Sequence, residues 1–150
     1  MGTDVQYVIR LEEGAWGGVL LAITMAVHGV GMLSTLRVTG VLKRRWDTPP
    51  RVASSLTILI IASWLITLVH LVEVGVWAHF ILWVHALPNI SVAFYFTLMQ
   101  YTTVGSSYNL PTRWRLLEGM ISMAGVMTFA WSTGVLFSLA QQFQDQHLKR

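Results

Sequence analysis

The chain has 150 residues, of which 54% are hydrophobic and only 11% charged, and its mean hydropathy is +0.57. A soluble domain carries about 25% charged residues, so this composition excludes an ordinary water-soluble globule and implies an integral membrane protein. No cysteine is present, which excludes disulfides and thiolate metal sites, and the formal net charge of +3 matters less in a membrane than where the charges sit.

Residues 1–14 form a short acidic lead, with Asp4, Glu12 and Glu13 against Arg10. Ala15 to Leu36 follows without a formal charge over 22 residues. A transmembrane helix needs about 20, so this is the first expected span. It lacks a preceding basic region and is too long for a cleavable signal, so it is read as retained. Gly14, Gly17, Gly18, Gly29 and Gly31 suit close helix approach. His28 lies inside the span, as a ligand or proton relay, or simply as a neutral histidine bonded to a neighbouring helix. One histidine alone makes no metal site.

Arg37 to Arg51 holds Arg37, Lys43, Arg44, Arg45 and Arg51, which is five of the ten basic residues, against Asp47 alone. By the positive-inside rule this segment is expected as a cytoplasmic loop, and Pro49 and Pro50 mark its turn. A role in binding lipid headgroups is a second reading of the same charges.

Val52 begins the second span. The apolar pattern runs on to about Val84, a helix of about 50 Å against a hydrocarbon core of about 30 Å. It is therefore expected to tilt and protrude or to break near Gly75. His70 and Glu73 are spaced i,i+3 and share a face, which fits either a metal or proton site or a hydrogen-bonded interfacial pair. Trp77, Phe80 and Trp83 suit an aromatic belt, and His79 and His85 lie nearby.

Pro88 suits the first turn of a helix. Asn89 to Tyr101 predicts a helix of 13 residues, too short to span. Its negative C-terminal dipole end falls at Thr102, where it favours a cation. The polar stretch Thr102-Thr103-Val104-Gly105-Ser106-Ser107 follows. Irregular backbone at membrane depth is tolerated where it lines a cavity or is buried in protein, so a re-entrant loop is expected here. Arg113 and Arg115 precede the third span, Trp114 to Phe143, which contains Gly119, Gly125 and Gly134. The tail from Gln141 is polar and ends in Lys149 and Arg150.

From about Phe94 to Phe143 the chain resembles the pore of potassium channels. The order is pore helix, Thr102-Thr103-Val104-Gly105, a loop with a proline, then an inner helix with glycines. Leu117-Glu118-Gly119-Met120 and Ser132-Thr133-Gly134-Val135-Leu136-Phe137 resemble the inner helix of prokaryotic inward-rectifier relatives. With Val52 to about Val84 as outer helix, the likeness extends over roughly two thirds of the chain. In that family threonine hydroxyls and backbone carbonyls replace the hydration shell of the ion. The family pattern continues with an aromatic residue, glycine and aspartate; here Ser106, Ser107 and Tyr108 stand in those places. The resemblance therefore implies intact inner ion sites and an altered outer filter.

The expected architecture is an all-α membrane protein of three transmembrane helices, with a re-entrant pore helix and filter loop between the second and third. It divides into an N-terminal segment with the first helix and basic loop (1–51), a pore domain (52–143) and a cytoplasmic tail (144–150). The resemblance implies a homotetrameric channel in the cell membrane, conducting potassium and, through a partial filter, sodium. Filter residues are Thr102 to Ser107. Gly125 is the candidate hinge, and Phe129 and Ser132 are candidate cavity positions. The lead is expected outside and the C-terminal end inside. No enzyme chemistry, cofactor or nucleic-acid partner is expected; the partners are lipid and further copies of the chain. Two other readings stay open. One is a non-conducting accessory subunit, and the other is a membrane metal or haem protein using His28, His70 and Glu73, with His79 and His85.

Overall fold

A computed structural model of the chain describes residues 8–46 and 51–148, with side chains as far as residue 145. Asp4, Asp47, Pro49, Pro50, Lys149 and Arg150 lie outside the described residues. Helix makes up 84% of the structure, with no strand among the described residues. The elements among the described residues are α1 (Leu11–Trp46), α2 (Val52–Trp83), α3 (Ile90–Tyr101), a 3-10 turn (Thr112–Trp114) and α4 (Leu116–Leu148). Helices α1, α2 and α4 are each long and apolar enough to cross a membrane.

Several boundaries differ from expectation, and α1 begins at Leu11, inside the acidic lead, and not at Ala15. The basic segment from Arg37 is helical as far as Trp46, and Lys43, Arg44 and Arg45 form the last turn of α1. Cations are favoured at that end of a helix by its dipole, so these basic charges suit the last turn of the helix. Helix α2 runs its 32 residues without a break at Gly75. Helix α3 begins one residue after Asn89, which caps it by accepting the Val92 N–H at 2.9 Å, so Pro88 precedes the helix.

The chain separates into two compact units, and α1, α2 and α4 contribute to both. One unit combines Met1–Thr24 with Val74–Val126. Its core gathers Trp77, Phe80, Ile81, Phe96, Tyr101, Trp114, Leu117, Ile121 and Ala124. Trp77 is fully buried and donates through Nε1 to Thr24 Oγ1 at 2.9 Å, so it belongs to the core and not to an aromatic belt. Such interhelical bonds contribute about 0.6 kcal/mol on average in membrane proteins. Phe80 meets Trp114 edge-on at 5.8 Å, while Trp83 is 64% exposed. Two adjacent glutamates tie α1 to the start of α4. Buried Glu13 accepts the N–H of Leu116, the first residue of α4, and exposed Glu12 pairs with Arg113.

The other unit combines Met25–Glu73 with Met127–Arg150. One buried stripe per helix builds it: His28, Met32, Thr35 and Thr39 on α1, Ser55, Ile58, Ala62, Ile66, His70 and Glu73 on α2, and Thr128, Ser132, Leu139 and Phe143 on α4. Spacings of three, four and seven residues place each set on one helical face. Several of these inward residues are polar, while Leu33, Ile60, Trp64, Leu68 and Trp131 face outward. Polar side chains inside membrane helices turn toward the protein interior in this way. Gly31 lies against Val69, with no room for a methyl group.

Candidate functional site

The first candidate is the loop after α3. Thr102 ends the helix with φ −83° and ψ 3°, and its hydroxyl donates back to Leu98 O at 2.9 Å. The next three amides all turn back on the same helix end. Thr103 N–H bonds to Gln100 O at 2.9 Å, and Val104 and Gly105 N–H bond to Met99 O at 3.0 and 3.1 Å. The first two bonds form a Schellman motif, whose turning residue is usually glycine in the left-handed region. Here that residue is Thr103, at φ +61°. A β-branched residue with positive φ is a genuine outlier. Gly105 repeats the left-handed conformation at φ +83°.

This pattern fixes the carbonyls. A trans peptide unit is planar, with N–H and the preceding C=O pointing oppositely. With the amides of Thr103, Val104 and Gly105 aimed at the helix end, the carbonyls of Thr102, Thr103 and Val104 are turned away from it. Val104 and Thr103 are exposed, and Ser106 Oγ accepts the Tyr108 N–H at 3.1 Å, which folds the loop on itself. Ser107 is exposed. Behind the loop, Gly125 of α4 lies against the backbone carbonyl of Tyr101, and Ser122 Oγ donates to Gln100 O at 2.9 Å. These two contacts seat the end of α3 on α4.

The second candidate is in the other unit. Glu73 is fully buried, and its two oxygens face two histidines. His28 Nδ1 lies 2.8 Å from Oε1, and His70 Nδ1 lies 3.4 Å from Oε2. The far nitrogens of both rings meet one hydroxyl, Ser132 Oγ, at 3.3 Å from His28 and 3.1 Å from His70. The rings lie 5.3 Å apart, His70 rests on Phe129 at 4.6 Å, and His28 on Trp131 at 5.3 Å.

The structure thus joins residues that the sequence offered separately. Ser132 and Phe129, expected along a cavity, contact the histidine cluster. His79 and His85 do not join it; each is exposed, with Nδ1 near the backbone oxygen of Gly75 and of Trp83 respectively. Glu13 and Tyr101, which position α4 and the loop, were not singled out from the sequence. No family model, curated protein or solved structure matches the chain, so both sites are read from their own chemistry.

Proposed function

We propose that the chain is the subunit of a pore-loop cation channel, built from four copies around an axis and resembling potassium channels. The reading is carried by one observation, the three successive carbonyls of Thr102, Thr103 and Val104 turned away from the C-terminal end of a helix too short to span. Carbonyl rings are what strip and coordinate a monovalent cation, and the helix dipole makes that end negative. One chain supplies a single strand of oxygens, and closed symmetry around an axis supplies the rest. In this reading α3 is the re-entrant pore helix and Thr102 to Ser107 the filter. Transport is passive, and potassium permeates, with sodium as a second ion because Ser106 and Ser107 replace the aromatic residue and glycine of the family pattern. The basic end of α1 lies in the cytoplasm, as does the end of α4, and the lead before α1 lies outside.

Reconstituted liposomes test this. Purified protein should carry potassium down its gradient, and its mass in mild detergent should be that of four chains plus detergent. A tetramer without flux would replace the channel with a non-conducting accessory subunit, and a stable monomer would remove both. Ser106→Tyr combined with Ser107→Gly should raise the preference for potassium over sodium, read as a shift in reversal potential.

A further inference from the structure

We infer that His28, His70 and Glu73 form a site for one divalent transition-metal ion of the zinc class. The inference is independent of the channel reading and concerns the other unit of the chain.

The donor set is the first support. Two imidazoles and one carboxylate suit zinc and its neighbours, whereas calcium and magnesium take oxygen ligands. One donor atom from each residue lies within 4.8 Å of the other two. Donors on one ion at about 2.1 Å stand no more than about 4.2 Å apart, so small side-chain rotations bring the three together. The ligands come from rigid elements: His28 from α1, and His70 and Glu73 from one face of α2. The rings of Phe129 and Trp131 pack on the two histidines. Glu73 and His28 have no exposed side-chain surface, and the His70 side chain is 11% exposed.

Hydrogen counting is the second support. Metal-bound histidines donate their other ring N–H to a fixed outer partner. Ser132 Oγ is within reach of both Nε2 atoms, and its own hydrogen has Met32 Sδ at 3.9 Å. A hydroxyl has two lone pairs and one donor, so this arrangement uses all of it. With an ion bound, both Nε2 atoms carry hydrogen toward Ser132, and both Nδ1 lone pairs and a Glu73 oxygen turn to the ion. The competing arrangement replaces the ion with a proton: one histidine is doubly protonated, and Ser132 donates to the other. Three protein ligands leave one position on the ion open, and the bound ion ties α1 to α2.

The experiment uses the full chain in detergent, stripped with chelator, then equilibrated with zinc ion. Retained zinc should reach one per chain, the melting temperature should rise with zinc concentration, and binding should release protons. Zinc should be lost in His28→Ala and in Glu73→Gln. It should stay in a variant with both His79→Ala and His85→Ala. Ser132→Ala should weaken binding about 10–100-fold, as expected of an outer partner. Wild-type protein that takes up no zinc under these conditions overturns the site and leaves the proton-sharing network in its place. That decision needs no variant and stands even where one fails to fold. Zinc that persists in both His28→Ala and Glu73→Gln overturns it equally.

Discussion

Gly125 of α4 touches the backbone carbonyl of Tyr101 at the end of α3, so closely that a side chain of even one carbon has no room. The obstacle is backbone on both sides, and it does not rotate away. Gly125→Ala should therefore push α3 off α4 at the point where the loop begins. The expected cost is about 1–3 kcal/mol, as for other overpacked interiors. Gly119 on the same helix has open space at its Cβ position. There Gly119→Ala should gain up to about 1 kcal/mol from helix propensity. Thermal unfolding followed by helical circular dichroism separates them. Equal melting temperatures for the two variants would show that the contact is not what requires glycine.

Glu12 and Glu13 are neighbours with different work to do. Glu12 pairs with Arg113 at 2.9 Å, but the two side chains are 49% and 52% exposed. Such pairs contribute below about 1 kcal/mol. Glu13 is 1% exposed and accepts the N–H of Leu116, one of the amides that a helix start leaves without an internal partner. Glu13→Ala leaves that part-buried group without its acceptor and should cost about 1 kcal/mol. Glu13→Gln keeps an acceptor oxygen and should recover most of the loss, whereas Glu12→Ala should change little. The same unfolding measurement decides, and a larger effect for Glu12→Ala would reverse the assignment.

The three long helices were legible because apolar runs of that length have few other uses. The short α3 was legible from its length, but Asn89, read as its first residue, is instead its cap. Helix ends were harder, since Arg37, Lys43, Arg44 and Arg45 read equally well as a charged loop or as a helix leaving the membrane. The histidine cluster was visible only in part. His70 and Glu73 announced themselves by spacing, but His28 and Ser132 come from other helices, and no local pattern says which helices meet. A signal was nevertheless present in the inward stripes. Thr24, His28, Thr35 and Thr39 follow helical spacing on α1, as do Thr128 and Ser132 on α4. Read as inward faces of membrane helices, those stripes point His28 and Ser132 toward the interior. Conversely, Trp77 looked like an interfacial aromatic residue because composition does not reveal that Thr24 offers it a buried acceptor.

Thr103 carries the most specific prediction. Its backbone is left-handed at φ +61°, a conformation that costs a non-glycine residue about 1–3 kcal/mol. Strain of this kind persists only where its surroundings enforce it. Here the enforcing contacts are the bonds of Thr103 and Val104 N–H to Gln100 O and Met99 O, the same contacts that turn the carbonyls away from α3. Two variants separate backbone from hydroxyl. Thr103→Gly relieves the strain and removes the hydroxyl, whereas Thr103→Ala keeps a strained backbone and removes the hydroxyl alone. Melting temperature should therefore rise in the glycine variant only. In the channel reading, potassium conductance should change in both by about fivefold, the effect of one lost contact of about 1 kcal/mol. Thr103→Ser, which keeps the hydroxyl, should conduct as the wild type does. The measurement is single-channel current in planar bilayers alongside thermal unfolding. Unchanged current in both the glycine and alanine variants would mean that the Thr103 hydroxyl meets no ion, and that the strained turn serves only to end α3.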